Sequence, residues 1–252
     1  MAQIDAIVIA GGRILDPEFR AAAGVDCKSL IPIHRKPMVR WVLDALKGTP
    51  CIRSVVLVGP EQLAQPGVAE NADHVLLEED DEIENLMKGM DALPGSERIL
   101  MVTSDMPLLT PEAIDDLVAN APEADIVYAT VNKDHVLAEF PERKWVFVRA
   151  KEGEFTGSSA VLFRPEVFRH HRETLRKVFD SRRSVGDLVK LWGIGFALKF
   201  ALGQLSLKDA ERRISEVLNV DGRAYISRYP ELAFDVDKAS DIALARDRLA
   251  SG

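Results

Sequence analysis

Apolar positions along this chain fall either into short unbroken runs or into stripes of helical period. The run at residues 6–10 is too short for a helix and rich in β-branched residues, so it predicts a buried parallel strand. Val39, Val42, Leu43 and Leu46 then recur at helical spacing, and Gly48 marks the stop. Residues 54–58 and 74–77 predict two further strands. The acidic run Glu78, Glu79, Asp80, Asp81, Glu82 follows and leads into Ile83, Leu86, Met87 and Met90 at helical spacing. That run reads as the solvated opening of a helix, where negative charge suits the N-terminal dipole, and not as a metal cluster. Residues 98–103 predict a strand that delivers Asp105 at its carboxyl end. Thr110-Pro111 caps a helix with Ile114, Leu117 and Val118 facing inward. Residues 125–131, 144–150 and 159–163 supply three more strands. Alternation of strand and helix up to about residue 130 predicts an α/β, mostly parallel, doubly wound sheet within one domain spanning residues 1–252.

From Pro165 the pattern turns helical. Residues 166–179 carry Arg169, His170, His171, Arg172, Arg176 and Lys177; residues 185–202 are apolar nearly all round; a third helix opens at Ser206, an N-cap with Asp209 at N3. This stretch, about 165–219, reads as a helical insertion, because residues 220–227 and 233–236 return to the strand pattern and 240–250 closes as a helix. An all-round apolar helix must be covered, by its own insertion, by a second subunit in a homodimer, or by a membrane surface. The first of these is the expectation.

Composition narrows the partners. The formal net charge of −8 argues against a general affinity for nucleic acid. Cys27 and Cys51 have no paired spacing, which indicates neither a zinc site nor a disulfide framework and suits a cytoplasmic protein. No run reaches the roughly 20 apolar residues of a membrane span, and the first residues lack a basic-then-apolar signal segment.

The chemistry begins after the first strand. Ala10-Gly11-Gly12 lets backbone N–H groups approach an anion without an intervening Cβ, and Arg13 and Lys28 add positive charge suited to phosphates. After Lys28 comes Ser-Leu-Ile-Pro-Ile-His-Arg, then Lys36-Pro37-Met38 opening a helix. On these residues the chain resembles the nucleotidyltransferases of the GT-A-like fold, whose signature is a strand, a Gly-Gly loop, a lysine and a Lys-Pro-Met. By pattern it is similar to molybdenum cofactor guanylyltransferases and to sugar-phosphate or alcohol-phosphate nucleotidyltransferases. Thr103-Ser104-Asp105-Met106-Pro107 and Phe234-Asp235-Val236-Asp237 continue the resemblance over nearly the whole chain. One departure stands out: fifteen residues separate Gly12 from Lys28, and the family's short arginine-methionine-glycine turn is missing.

The resemblance implies transfer of NMP from an NTP to a phosphorylated acceptor with release of pyrophosphate. Such transfer calls for a divalent cation, because an α-phosphate attacked by another phosphate is surrounded by negative charge. Magnesium takes one or two carboxylates plus phosphate oxygens and water. Asp105 and Asp237, each expected at a strand end, are the candidate ligands, with Asp235 as an accessory acid on the same side of a regular strand. Ala10, Gly11, Gly12, Arg13 and Lys28 are the candidate nucleotide contacts, and Arg13, Lys28 and Asp105 the candidate catalytic groups. Gly157, Arg182 and Arg183 are the candidate acceptor contacts. GTP transfer to a molybdopterin-type acceptor is the leading specific reading. Cytidylyl or uridylyl transfer to a small phosphorylated alcohol or sugar comes next, then a GT-A glycosyltransferase or a catalytically silent nucleotide-binding module. Ser104 and Ser159 lack a nucleophile-elbow context, so a serine hydrolase is not indicated.

Overall fold

The computed structural model describes residues 3–181 and 191–250. Its strands are β1 Ile4–Ile9, β2 Pro32–Ile33, β3 Lys36–Pro37, β4 Ile52–Gly59, β5 His74–Leu77, β6 Ile99–Thr103, β7 Ile126–Asn132, β8 Val148–Ala150, β9 Gly153–Phe163 and β10 Gly222–Ser227. At the centre is an eight-stranded mixed sheet in the order β10-β7-β9-β6-β1-β4-β5, with β8 paired to β9; β2 and β3 form a separate small hairpin. Pairings β1–β4, β1–β6, β4–β5 and β7–β10 are parallel, whereas β9 runs antiparallel to β6, β7 and β8. The sheet is therefore mostly parallel, as the βα alternation predicts.

Helices cover both faces. On one side α2 Met38–Lys47 and α4 Pro111–Asn120 pack Val39, Val42, Leu43, Ile114 and Leu117 against Ala6, Val8, Leu57 and Val102. On the other, α3 Glu82–Asp91 and α6 Pro165–Ser181 bring Ile83, Leu86, Met90, Phe168 and Leu175 onto Ile7, Val56 and Phe163. Alternate residues of β1 thus enter opposite cores, the two-sided burial that a period of two produces. The acidic run does open α3: Asp81 is its N-cap and accepts from the amides of Ile83 and Glu84. Arg172 and Arg176 of α6 then pair with Glu84, and Arg176 also with Asp81.

A third, smaller core lies beyond the carboxyl ends of the strands. It joins Ile14 and Phe19, Ile31, Ile33, Phe140, Phe234, Val236 and Ile242. Its contributors include α1 Pro17–Ala23, Phe140 just past α5 Lys133–Glu139, and a C-terminal helix, Ala239–Ala250.

Four local expectations differ from the structure. Residues 233–236 form no strand: a 3-10 turn, Pro230–Ala233, is followed by irregular backbone. Only residues 148–150 of the expected 144–150 strand pair, while β9 is longer than 159–163 and begins at Gly153. The polar segment after Gly12 contains α1, capped by Asp16 at its start and by left-handed Gly24 at its end. Finally, the apolar stretch 185–202, of which 185–190 lie outside the described residues, is interrupted at Gly193 (φ 86°), and a helix runs from Ile194 to Ala201. There Ile194, Leu198, Phe200 and Leu202 are half or more exposed, contrary to the expected burial.

Candidate active site

The site is assembled at the carboxyl ends of β1 and β6, closed by the loop before the C-terminal helix. Gly12 has φ 115°, a left-handed value that an L side chain rarely adopts, so glycine is required to turn the chain out of β1. The fifteen residues that follow are looped out and return. Arg13 bridges to Cys27, the Ile14 amide donates to Asp26 O at 2.9 Å, and the Lys28 amide donates to Gly12 O at 3.1 Å. The long loop is thus closed by its own backbone hydrogen bonds, and it places Lys28 directly beside the Gly-Gly turn.

Serines tie the pieces together. The Ser29 hydroxyl, fully buried, donates to Ala10 O and shares a 2.9 Å hydrogen bond with the Ser104 hydroxyl. This fixes the 3-10 turn Lys28–Leu30 against the ends of β1 and β6. Lys28 then extends its ammonium between two carboxylates, 2.5 Å from Asp105 Oδ2 and 2.7 Å from Asp237 Oδ1. Asp105 also accepts from the Thr103 hydroxyl at 2.5 Å, and its main-chain oxygen accepts from the Val236 amide at 2.9 Å. Burial opposes the charge of Lys28, but Asp105 and Asp237 outweigh it and hold the ammonium above lysine's ordinary pKa.

Asp235 is taken up by Arg143. Its carboxylate accepts from Arg143 at 2.6 Å, and Asp237 Oδ2 lies 4.0 Å from the same nitrogen, so the two acids do share a side although no strand forms there. Burial, followed by the charge of Asp237, raises the Asp235 carboxyl, and the Arg143 hydrogen bond opposes that rise. Glu78, just past β5, lies against Gly11, where an added Cβ would collide with its Oε2. Burial raises its pKa as well, Arg13 working against this and Asp80 with it.

A divalent cation fits this donor set. Asp105 Oδ2 and Asp237 Oδ1 converge on a single cationic point, marked by the Lys28 ammonium. Among the described residues no group of three or more His, Cys, Asp or Glu could hold a metal on its own. Two converging carboxylates and no closed cage suit magnesium, which completes its octahedron with phosphate oxygens and water.

The remaining candidates separate. Arg13 is exposed on the looped segment, near enough to Glu78 to act on it electrostatically. Gly157 lies in β9, opposite Thr130, with the Tyr128 hydroxyl leaning across it, and is exposed. Arg182 and Arg183 lie outside the described residues. Lys36 is held by Asp44 at 2.6 Å and sits over the Trp41 ring. Of two surface hollows, one of about 380 Å³ opens between the helices Ile194–Ala201 and Leu207–Leu218 and one of about 430 Å³ between the latter and the start of β10, and neither is lined by Lys28, Asp105 or Asp237. Arg143, which sequence reasoning did not single out, contacts the acidic loop more extensively than any residue that it did.

Comparison with known proteins gives the family and the fold. Residues 6–189 match the MobA-like NTP transferase domain. The chain belongs to that family. No curated protein matches. Among solved structures, one described as a hypothetical transferase from Thermus thermophilus is 37% identical, with a TM-score of 0.83 over 95% of this chain and 99% of that one. A 2-C-methyl-D-erythritol 4-phosphate cytidylyltransferase, also from Thermus thermophilus, is 13% identical, with a TM-score of 0.59 over 99% and 100% of the two chains. A CMP:2-keto-3-deoxy-manno-octonic acid synthetase complexed with CTP is 12% identical, with a TM-score of 0.60 over 99% of each. The last two likenesses concern the fold, which is the GT-A-like fold of nucleotidyltransferases. Among the described residues no helix of this family member is long and apolar enough to cross a membrane.

The two cysteines of this NTP transferase provide a probe of the loop. Cys51 is buried, and burial together with Asp115 pushes its thiol up to about 11, whereas Cys27 adjoins Lys28 and is partly exposed. Since the thiolate is the reactive species, a thiol reagent at pH 8 is expected to label one cysteine per native chain rapidly and the second only after denaturation. Bound NTP should slow the rapid reaction. Two rapid thiols in the native protein would contradict the buried placement of Cys51.

Proposed function

We propose that this protein transfers a nucleotidyl group from an NTP, with magnesium, to a phosphorylated small-molecule acceptor. The observation that carries the reading is the Asp105–Lys28–Asp237 bridge beside the Gly11-Gly12 turn. In this reading the turn and Arg13 receive the triphosphate. Lys28 leaves the carboxylates for the β- and γ-phosphates and stabilises departing pyrophosphate. Asp105 and Asp237 would hold the cation, whose chemistry is to neutralise charge on the phosphates. The acceptor phosphate approaches in line, near Gly157, with Arg182 and Arg183 as further contacts. No nucleophilic side chain is needed, because orientation and charge stabilisation carry most of phosphoryl-type transfer.

GTP with a molybdopterin-type acceptor is the reading suggested by the sequence resemblance. CTP with a phosphorylated alcohol or sugar is suggested by the cytidylyltransferase neighbours. Thermal stabilisation by each of the four NTPs in magnesium separates them, because a ligand selective for the folded state at 100 times its Kd adds about 2.7 kcal/mol. One NTP is expected to raise Tm, and acceptor-dependent pyrophosphate release with that NTP identifies the reaction. Stabilisation by none, or by a nucleotide-sugar only, would overturn nucleotidyl transfer.

A further inference from the structure

Arg143 stands between α5 and β8 and is almost fully buried, with only 8% of its side chain exposed. Its guanidinium is flanked by two rings, 4.3 Å from the centroid of Trp145 and 5.0 Å from that of Phe234. From there it donates to Ala233 O at 3.3 Å, to Asp235 O at 2.8 Å and to Asp235 Oδ1 at 2.6 Å. It also lies 3.4 Å from Asp241 Oδ1 and 4.0 Å from Asp237 Oδ2. Asp241 in turn accepts from the Asp237 amide at 3.1 Å.

Three acids crowd this stretch, and the backbone between Phe234 and Asp237 has no sheet ladder to set its course. Asp235 and Asp237 flank Val236, whose amide is tied to Asp105 O, and of the two it is Asp237 that meets Lys28. The main-chain tie places the loop; the two carboxylates are sorted by what their side chains meet. We infer that Arg143 is a positioning residue that holds the Asp235 carboxylate and the loop carbonyls, so that Asp237 alone joins Asp105 at the cation point. Arg143 does not touch the cation; it acts through Asp235, Asp237 and Asp241. A planar guanidinium suits the task, because its several N–H donors reach a carboxylate and two carbonyls at once. Lysine would offer the charge without that fork.

The inference rests on Asp105 and Asp237 being the cation ligands, and the test keeps the two ideas apart. Mn²⁺ binding, without nucleotide, is followed by loss of the free-ion EPR signal. Asp105→Ala and Asp237→Ala must each weaken it; if neither does, the ligand assignment fails whatever Arg143 does. Given that they do, Arg143→Gln is expected to weaken Mn²⁺ binding by about 10- to 100-fold, the range found when groups supporting metal ligands are removed. Asp235→Asn alone should stay close to the parent protein. Adding Asp235→Asn to Arg143→Gln should recover most of the loss, since no second carboxylate then competes. This recovery is the coupling that a merely structural arginine would not show. Unchanged Mn²⁺ binding in Arg143→Gln overturns the inference, as does a loss that Asp235→Asn leaves unrepaired. If Arg143→Gln fails to fold, Arg143→Lys carries the same comparison with and without Asp235→Asn.

Discussion

Asp105→Ala is expected to lower kcat by about a thousandfold or more, equivalent to roughly 4 kcal/mol of transition-state stabilisation, while leaving the protein folded. The size follows from what the carboxylate does in the proposed reaction. It is one of two protein ligands to a cation that offsets charge on the attacked phosphate, and no neighbouring acid replaces it, because Asp235 is bound to Arg143. The fold survives because the link between β6 and the acidic loop that involves Asp105 O and the Val236 amide is main-chain and persists in alanine. Lys28 retains Asp237 as a partner. Steady-state rates of pyrophosphate release, beside a thermal melt, are the measurement. Full activity in Asp105→Ala, or in excess chelator, would remove the aspartate pair from the chemistry.

Lys28→Met is the second large effect, and its signature is selectivity between ligands. Loss of the ammonium should weaken NTP binding by about 100-fold, roughly 2.7 kcal/mol, and binding of the corresponding NMP by much less. The β- and γ-phosphates that Lys28 would reach are present only in the NTP. Equal losses for both ligands would place Lys28 away from those phosphates. The same residue gives an alkaline signature. Its pKa in the folded state is raised above lysine's ordinary value of 10.5, so its charge contributes fully to stability below that pH and is lost only as pH rises through the folded value. Between neutrality and pH 9, therefore, the melting temperatures of Lys28→Met and the parent should keep a constant offset, and converge only above about pH 10.5.

Much of this architecture was legible from hydrophobic period alone, wherever period and boundary signals agreed. His74–Leu77 and Met38–Lys47 coincide with the expected elements, and the Ser206–Asp209 capping box forms as its spacing implies. Residues 233–236 were misleading for a physical reason. Phe234 and Val236 alternate with aspartates as a half-buried strand would, and both are buried, but in the third core and not on the sheet. Period reports burial on one side; it does not report a ladder partner. In α1 the opposite error occurs. Asp16, Pro17 and Gly24 are a cap, a first-turn proline and a left-handed stop, yet only Phe19 and Ala23 are buried, too few to make a stripe. Reading the caps before the stripe would have found it.

In the site, Lys28 and the two aspartates were legible because each follows a short motif. What the motifs did not convey was that a lysine bridges both acids. Arg143 was illegible in principle from local sequence. It sits in Pro-Glu-Arg-Lys-Trp, a polar stretch like many solvated ones, and its importance comes from partners far along the chain, at separations of 90 and 92 residues. Only the fold brings them together.

The reach of the closing loop also bears on how the protein matures. Lys28 meets Asp105 across 77 residues but Asp237 across 209. On the ribosome, where chains emerge from the N-terminus at about 5–20 residues per second, the turn, the lysine and the first aspartate can be in place while the second is still being made. A nascent chain would carry the phosphate-facing half of the site without its cation pair. In the proposed reaction, turnover would therefore wait until the loop that carries Asp237 has been made and has closed on Lys28.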